Sequence, residues 1–290
     1  MTVPSGRRIA RVRPVSPLDE DEHFFVINDA EDFESAAGRV WTVAPTPFPG
    51  SAANAGSPPR DGWELGASVD EEAFSFLAPS VPANVLGMAH NTGRAGRDLP
   101  PQAFHKAATS VVGPGDAIEL QPNVGRVEPE AELTVVIGSK ARGLTPGNAT
   151  TAILGYTIGN DVSARDLQDS DDLWISAKSQ DTFTPAGPWI VTGLPGGNLT
   201  IGIQHNGVQL EAAGSADLGW KVEEILAYLT SFMTLHPGDL VLTGFPAQTV
   251  PIAAGDTVSC HISGIGQLTN PVVAAGSPAV PNSGTRHYDG

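Results

Sequence analysis

Residues 128–138 read EPEAELTVVIG, and this stretch decides most of what the chain can be. The run from Leu133 to Ile137 is apolar and rich in β-branched residues, which is typical of a buried strand. Because residues two apart on a strand point to the same face, Glu130 and Glu132 project together. Two like charges at the mouth of an apolar strand repel, so solvent, a basic partner or a cation must offset them. A hard cation with oxygen ligands satisfies both carboxylates at once.

A third carboxylate is available in residues 155–168, which read GYTIGNDVSARDLQ. Asp161 ends an apolar segment there and stands beside polar residues. Together with Glu130 and Glu132 it could form a three-carboxylate site for octahedral Mg²⁺ or Mn²⁺, with about three positions left for water and a bidentate substrate. Taken by spacing alone, the Glu-x-Glu pair is also compatible with a solvated strand end.

Lysine is scarce, and the residues concerned are Lys106, Lys140, Lys178 and Lys221. Lys178 belongs to residues 177–189, AKSQDTFTPAGPW, a segment of turn-forming and apolar residues. Beside a metal site, an ammonium group there would neutralise an enolate or a carboxylate. The alternative is an ordinary surface lysine.

One histidine and the single cysteine complete the candidates. His90 follows a short apolar run in the glycine-rich segment 87–94, GMAHNTGR. Cys260 excludes an internal disulfide, and its alternating surroundings, DTVSCHI at 256–262, predict a small core residue rather than a nucleophile. The sequence contains no HExxH, phosphate-loop, GxSxG or dinucleotide glycine motif.

The formal net charge of the 290-residue chain is −16. Such a surface repels phosphate backbones, so we expect no nucleic-acid partner. It also repels an anionic substrate unless a local cation reverses the field, although the charge is equally explained by solubility. No apolar run approaches the roughly 20 residues needed to span a bilayer, so we expect no membrane span and a cytoplasmic protein.

The chain is predicted to be a β-dominated α+β protein with a boundary near residue 84. Residues 1–83 suggest a small β-rich N-terminal domain, with a Pro/Gly-rich loop around 44–60. Residues 84–272 carry many strand signals and only two predicted helices, at 145–154 and 222–232, which is too few for a doubly wound sheet. Residues 273–290 are expected to form a loose tail.

These segments together resemble the fumarylacetoacetate hydrolase family over roughly residues 84 to 272. The matching segments are EAELTVVIG at 130–138, residues 155–168, Lys178 with DTF at 181–183 and GPW at 187–189, LHPGD at 235–239, LTG at 242–244 and GIGQLTN at 264–270. Their order and spacing both agree with the family.

The resemblance implies a mixed β-roll, usually homodimeric, that binds Mg²⁺, Mn²⁺ or sometimes Ca²⁺. Glu130, Glu132 and Asp161 match the three ligand positions, and Lys178 matches the lysine beside the metal. The resemblance also implies that Arg165 and Gln168 line the substrate pocket. The substrate would then be a small 2-oxo acid that chelates the metal through its 2-oxo carboxylate.

Two departures bear on the reaction. Hydrolytic members usually carry Asn-Tyr-x-x-His after the first strand of this domain, whereas this chain has Gly93 at the histidine position and His90 at the tyrosine position. His90 is therefore the candidate replacement. The usual Thr-Gly-Thr-Pro is Thr243, Gly244 and Phe245 followed by proline, so a hydroxyl that meets substrate carboxylate is replaced by apolar bulk.

The sequence thus predicts a metal-dependent enzyme that cleaves a carbon–carbon bond in a 2-oxo acid or its enol, as a hydrolase or decarboxylase. The first alternative is an isomerase or tautomerase of an unsaturated 2-oxo acid, which consumes no water. The second alternative is a non-catalytic binding protein that retains the metal. Lys178, Arg165 and Gln168 argue against that last possibility.

Overall fold

The structure, a computed structural model, describes residues 6–15, 22–29 and 39–276, without the side chains of residues 94 and 95. Strands dominate these ranges, as predicted. In chain order, β1 to β20 are Arg8–Pro14, Phe24–Asn28, Val40–Ala44, Ser68–Asp70, Phe74–Phe76, Val85–Met88, Ala103–Lys106, Val111–Val112, Ile118–Leu120, Val127–Glu128, Ala131–Ile137, Ile153–Asn160, Ser163–Ala164, Thr184–Val191, Thr200–His205, Val208–Gln209, Ala213–Gly214, Leu240–Leu242, Thr257–Ile262 and Gly266–Ala274.

The described helices are few and short. The α-helices α1 to α3 are Arg165–Gln168, Ile175–Lys178 and Val222–Phe232, and the 3-10 helices are Ala52–Asn54, Glu71–Ala73, Arg94–Asp98, Ala108–Ser110, Ala149–Ala152 and Ser215–Asp217. α3 coincides with the predicted helix at 222–232. Its buried residues Val222, Ile225, Leu226 and Leu229 recur at the spacing of one helix face.

The helix predicted at 145–154 is wrong. The described structure has only the 3-10 helix Ala149–Ala152, and β12 begins at Ile153. Ile153 pairs with Ile137 of β11, so the gain from extending the sheet outweighs the local helical signal.

Two sheets form the body of the described chain. The larger sheet runs in the order β4-β3-β2-β1-β14-β12-β11-β18-β6-β7, with β5 on β1 and β8 on β14. The smaller sheet runs β16-β15-β19-β20-β9, with β17 on β15. β11, β12 and β14 pack against β15, β19 and β20, so the core lies between the two sheets. This arrangement is the β-dominated fold that the sequence predicted.

β11 lies at the centre of the larger sheet, with β12 on one side and β18 on the other. All seven of its residues are buried, which explains its nearly continuous apolar sequence. β12 runs antiparallel to it, so the start of β11 meets the end of β12. This pairing brings together the two sequence segments that carry the carboxylates.

The proposed boundary at residues 83/84 stays a prediction. β1 hydrogen-bonds to β14, so the N-terminal strands extend the larger sheet. β20 continues to Ala274, and most of the predicted tail, residues 277–290, lies outside the described residues. None of the helices in the described ranges is long and apolar enough to cross a membrane.

Candidate active site

Glu130, Glu132 and Asp161 converge where β11 begins and β12 ends. Each offers a carboxylate oxygen, and these oxygens lie within 4.8 Å of one another. The antiparallel pairing fixes the approach, because Asp161 N donates to Glu130 O at 2.9 Å and Glu130 N donates to Asn160 Oδ1 at 3.0 Å. All three side chains are buried. The sequence had suggested that the three carboxylates could form one site, and their role as metal ligands stays a prediction.

The backbone that follows β18 holds Glu132. Gly244 N donates to its Oε2 at 2.5 Å. Burial raises the pKa of Glu132 well above its usual range, and the charges of Asp161 and Glu130 raise it further. A cation placed beside Glu132 would therefore stabilise its ionised form.

Lys178 lies at the end of α2 and approaches the carboxylates from one side. Its Nζ donates to Asp161 Oδ2, to Glu130 Oε2 at 3.2 Å and to Ser163 Oγ at 2.6 Å. Burial alone would lower the pKa of Lys178, but Asp161 and Glu130 raise it above its ordinary value. The residue is thus a buried ammonium group at the carboxylates and not the surface lysine of the alternative interpretation.

A second lysine, Lys106, reaches the same carboxylate and was not singled out from the sequence. It is fully buried at the end of β7, and its Nζ donates to Asp161 Oδ1 at 2.6 Å and to Val162 O at 3.2 Å. Burial lowers the pKa of Lys106, and Asp161 offsets part of that effect. Burial alone would raise the pKa of Asp161, but the ammonium groups of Lys106 and Lys178 lower it.

Arg165 and Gln168, expected to line the pocket, lie at the two ends of α1 and contact each other. Arg165 Nη1 donates to Gln168 Oε1 at 2.9 Å, Nη2 donates to Glu130 Oε1 at 2.9 Å and Nε donates to Glu128 Oε2 at 2.8 Å. The guanidinium group therefore joins Glu130 to a fourth carboxylate, Glu128. The small sheet of β10 and β13 supports this network, since Glu128 pairs there with Ser163.

Thr243 and Gly244, also expected at the substrate together with Phe245, hydrogen-bond to Leu133 and Glu132 in this structure. Thr243 Oγ1 donates to Leu133 O at 2.8 Å, and the side chain is fully buried. Phe245 is 4% exposed and belongs to the main apolar core. Asn91 Nδ2 donates to Thr243 O at 2.6 Å, which ties this loop to the segment that carries His90.

His90 is exposed and lies outside the group of carboxylates and lysines that hydrogen-bond to one another. Its ring packs edge-on against Trp174 with 5.2 Å between centroids. The Trp174 ring lies 5.8 Å from that of Phe104, and Lys178 Nζ lies 4.6 Å from the centroid of the Phe104 ring. A row of aromatic side chains therefore leads from the lysine to the surface.

The donor set suits a hard divalent cation. Three carboxylates are the oxygen ligands that Mg²⁺ and Mn²⁺ prefer. Together with Glu128 the site has four carboxylates, which face three largely buried cations, Lys106, Lys178 and Arg165, so one negative charge is left over. A hard ion placed between the oxygens would compete with Lys178 for Glu130 and Asp161, and it would relieve Glu132, which receives no ammonium hydrogen bond among those described.

The chain matches the model of one protein family, described as fumarylacetoacetate (FAA) hydrolase C-terminal, over residues 80–273. A curated relative is the mitochondrial oxaloacetate tautomerase FAHD2A of Homo sapiens. It is 36% identical over 218 residues, which cover 69% of each chain.

Solved structures of similar fold include enzymes with different reactions. The 2-hydroxyhepta-2,4-diene-1,7-dioate isomerase from Mycobacterium marinum is 37% identical, with a TM-score of 0.78 over 93% of this chain and 99% of that one. The maleylpyruvate hydrolase from Sphingobium sp. SYK-6, solved with manganese(II) and pyruvate, is 27% identical, with a TM-score of 0.64 over 72% of this chain and 77% of that one. The mixed β-roll is therefore shared by isomerases and hydrolases.

Proposed function

Since the chain belongs to the fumarylacetoacetate hydrolase family and is one of its enzymes, we propose that it isomerises or tautomerises a small 2-oxo acid through its enol, with a divalent metal ion. The observation that carries the proposal is the buried group of Glu130, Glu132 and Asp161 with the ammonium group of Lys178 against it. Mg²⁺ or Mn²⁺ is the proposed ion, and the hydrolase of similar fold that contains manganese(II) and pyruvate supports it.

The charges favour a substrate with one carboxylate at the reacting end. Glu128 and the three proposed ligands exceed the cations Lys106, Lys178 and Arg165 by one negative charge. A divalent ion reverses this sign, and the carboxylate of a 2-oxo acid then restores neutrality. Binding of the anion should therefore depend on prior loading with metal.

Lys178 is the residue that we propose for stabilising negative charge. When bound, the ion supplies a Lewis acid that polarises the 2-oxo group. Ser163 Oγ and the carboxylates hold the Lys178 ammonium group in place, so it needs no reorganisation as charge develops on the substrate oxygen. Such an interaction strengthens from the ketone to the enolate, which is the requirement for catalysis.

The proposed reaction moves a proton and breaks no carbon–carbon bond. The proton at C3 passes to solvent, and the electron pair of the C–H bond forms the C2–C3 double bond. The carbonyl oxygen takes up a proton from solvent to give the enol, so no net proton is gained or lost; in an unsaturated acid, reprotonation farther along shifts the double bond. Gly93 at the position of the hydrolytic histidine favours this water-free chemistry. The isomerase and the tautomerase among the similar proteins support the same choice. Hydrolytic or decarboxylating cleavage stays the competing prediction.

The proposal is tested with 2-oxo acids in D₂O, in the presence of Mg²⁺ or Mn²⁺. We expect enzyme-dependent deuterium exchange at C3, followed by NMR, without pyruvate or CO₂. Release of pyruvate would indicate hydrolysis, and release of CO₂ would indicate decarboxylation. Bound metal without exchange or fragmentation would indicate the non-catalytic binding protein.

A pair of lysine variants tests the role of Lys178. Lys178→Met should lose at least about a hundredfold in exchange rate, the scale seen when one preorganised donor is removed. Lys140→Met is the matched control, because Lys140 is exposed beyond the opposite end of β11 and should keep the full rate. Equal rates in the two variants would contradict the assignment.

The remaining expectations for the chain are proposals as well. We propose a homodimer that resides in the cytoplasm and has no nucleic-acid partner, in keeping with the family resemblance and the net charge of −16. Size-exclusion chromatography with light scattering tests the dimer, and a monomer at micromolar concentration would contradict it.

A further inference from the structure

The aromatic row between Lys178 and the surface has no part in the reaction described above. Its members are Phe104, Trp174 and His90, with 5.8 and 5.2 Å between successive ring centroids. The exposure of these side chains rises along the row, from the buried Phe104 through the half-buried Trp174 to the exposed His90. We propose that this row binds the tail of the substrate, and that the substrate is a 2-oxo monocarboxylic acid with a flat aryl or conjugated alkenyl tail. This inference rests on the proposed function.

The backbone of α2 holds Trp174 close to Lys178, the residue that we assign to the reaction. Trp174 and Lys178 are four residues apart across the single turn of α2, and Lys178 N donates to Trp174 O at 3.0 Å. Both side chains lie against Phe104, because the indole ring is 5.8 Å from the Phe104 ring and Lys178 Nζ is 4.6 Å from the centroid of the same ring. A substrate whose head contacts Lys178 therefore extends its tail past Trp174.

Phe104 is held in the row by two features of β7. Phe104 and Lys106 are two apart on that strand and both are buried, whereas His105 between them is exposed. The ring lies directly on the backbone of β6, where a Cβ added to Gly87 would come within 2.2 Å of Phe104 Cζ. Phe104 is thus a fixed wall, with Lys178 Nζ over its face and Trp174 beside it.

The rings suit a π-system rather than a second carboxylate. Aromatic groups attract flat unsaturated groups in offset or edge-on arrangements, while their negative faces repel anions. The loop between α1 and α2 that leads into Trp174 carries Asp169, Asp171 and Asp172. These carboxylates further disfavour a distal negative charge near the outer end of the row.

The experiment compares phenylpyruvate with oxaloacetate as tautomerase substrates of the manganese-loaded protein. We expect kcat/KM to be at least about tenfold higher for phenylpyruvate. Trp174→Ala should raise KM for phenylpyruvate by about twofold to tenfold, the range for one aromatic contact. The same variant should change KM for oxaloacetate by less than about twofold. Trp174→Phe should restore most of the loss.

Phe232→Ala is the matched control, since it also replaces an aromatic side chain by alanine. Phe232 is 54% exposed at the end of α3. This end adjoins Gly143, beyond the end of β11 that lies away from the carboxylates, because Gly143 N donates to Thr230 O. The control should leave KM and kcat/KM unchanged for both substrates.

A preference for oxaloacetate, or an equal loss for both acids in Trp174→Ala, would overturn the inference. An equal loss would mean that Trp174 only builds the turn that carries Lys178. If neither acid is tautomerised, the proposed function fails. Calorimetry then tests separately whether the aromatic row binds the tail of the acid. Phenylpyruvate titrated into the manganese-loaded protein should then bind at least twofold more weakly to Trp174→Ala than to the wild type, and equal affinities would contradict the row.

Discussion

Replacing Glu132 with glutamine should stabilise the metal-free protein and abolish its stabilisation by metal. Glu132 is 2% exposed, and the one described hydrogen bond to its carboxylate comes from Gly244 N. Glutamine keeps the shape and the carbonyl acceptor for that bond, but it removes a buried charge that Asp161 and Glu130 oppose. The new amide N–H groups also face neighbouring carboxylates, which are good acceptors.

The size of both effects follows from the burial of the site. Replacing a whole buried ion pair by neutral side chains is often neutral or stabilises a protein by about 1–4 kcal/mol, and we apply that range to Glu132 because its carboxylate receives no ammonium hydrogen bond among those described. With a shift of about 2–4 °C per kcal/mol for domains of comparable size, the metal-free variant should melt about 2–16 °C higher than the wild type. For the wild type, a metal concentration of 100 times Kd should add about 2.7 kcal/mol, and the variant should gain almost none of it.

Thermal unfolding with chelator and with Mn²⁺ measures both effects on the same samples. Glu64→Gln is the control, because Glu64 is exposed and should behave as the wild type under both conditions. A metal-free Glu132→Gln protein that melts lower than the wild type and still gains stability with Mn²⁺ would refute the reasoning. It would mean that Glu132 is stabilised by groups of the protein itself and does not bind the ion.

Three further predictions concern the surroundings of the site, the acid unfolding of the protein and the reactivity of its cysteine. Glu128→Ala should lower the free energy of unfolding in urea by about 2–5 kcal/mol, because it removes a partner from the largely buried guanidinium of Arg165; a loss below about 0.5 kcal/mol would contradict this. The hydrogen bond from Asn206 helps to lower the pKa of Asp256 to about 2. The ionised Asp256 therefore contributes its full stabilisation to the folded protein above about pH 4, and this contribution disappears as the pH falls towards 2. Asp256→Asn should therefore flatten that part of the acid unfolding curve, and an unchanged curve would count against the bond. Burial raises the pKa of the Cys260 thiol, so iodoacetamide should label it only in denaturant, and rapid labelling of the native protein would show local opening.

The carboxylates could be predicted because their signal is local. Glu130 and Glu132 reveal their common face through the period of one strand, and Asp161 ends the next strand of the same hairpin. The pairing of Ala131 with Asn160 then brings the three groups together without any long-range information. The family resemblance supplied the same three residues on independent grounds.

Lys106 could not be found in this way because its partner is distant in the sequence. It lies 55 residues before Asp161, and β6 and β18 separate β7 from β11 in the sheet. The one local indication is that Lys106 shares a strand face with the apolar Phe104. A lysine on such a buried face needs a charged partner. The scarcity of lysine in the chain does not by itself identify the partner.

The substrate positions inferred from the resemblance show a different limit. Arg165 and Gln168 do lie beside the carboxylates, but their polar groups contact Glu128, Glu130 and each other. Sequence motifs place such residues near a site and leave their hydrogen-bond partners open. Those partners depend on the pairing of β10 with β13, which two residues of sequence in each strand do not reveal.

The most direct test of the metal site is anomalous diffraction from crystals grown with Mn²⁺. We expect one strong peak per chain, about 2.0–2.2 Å from an oxygen of each of Glu130, Glu132 and Asp161, with Lys178 withdrawn from at least one of them. A peak elsewhere, or full manganese saturation in solution with Lys178 and Lys106 still bridging the carboxylates in the crystal, would contradict it.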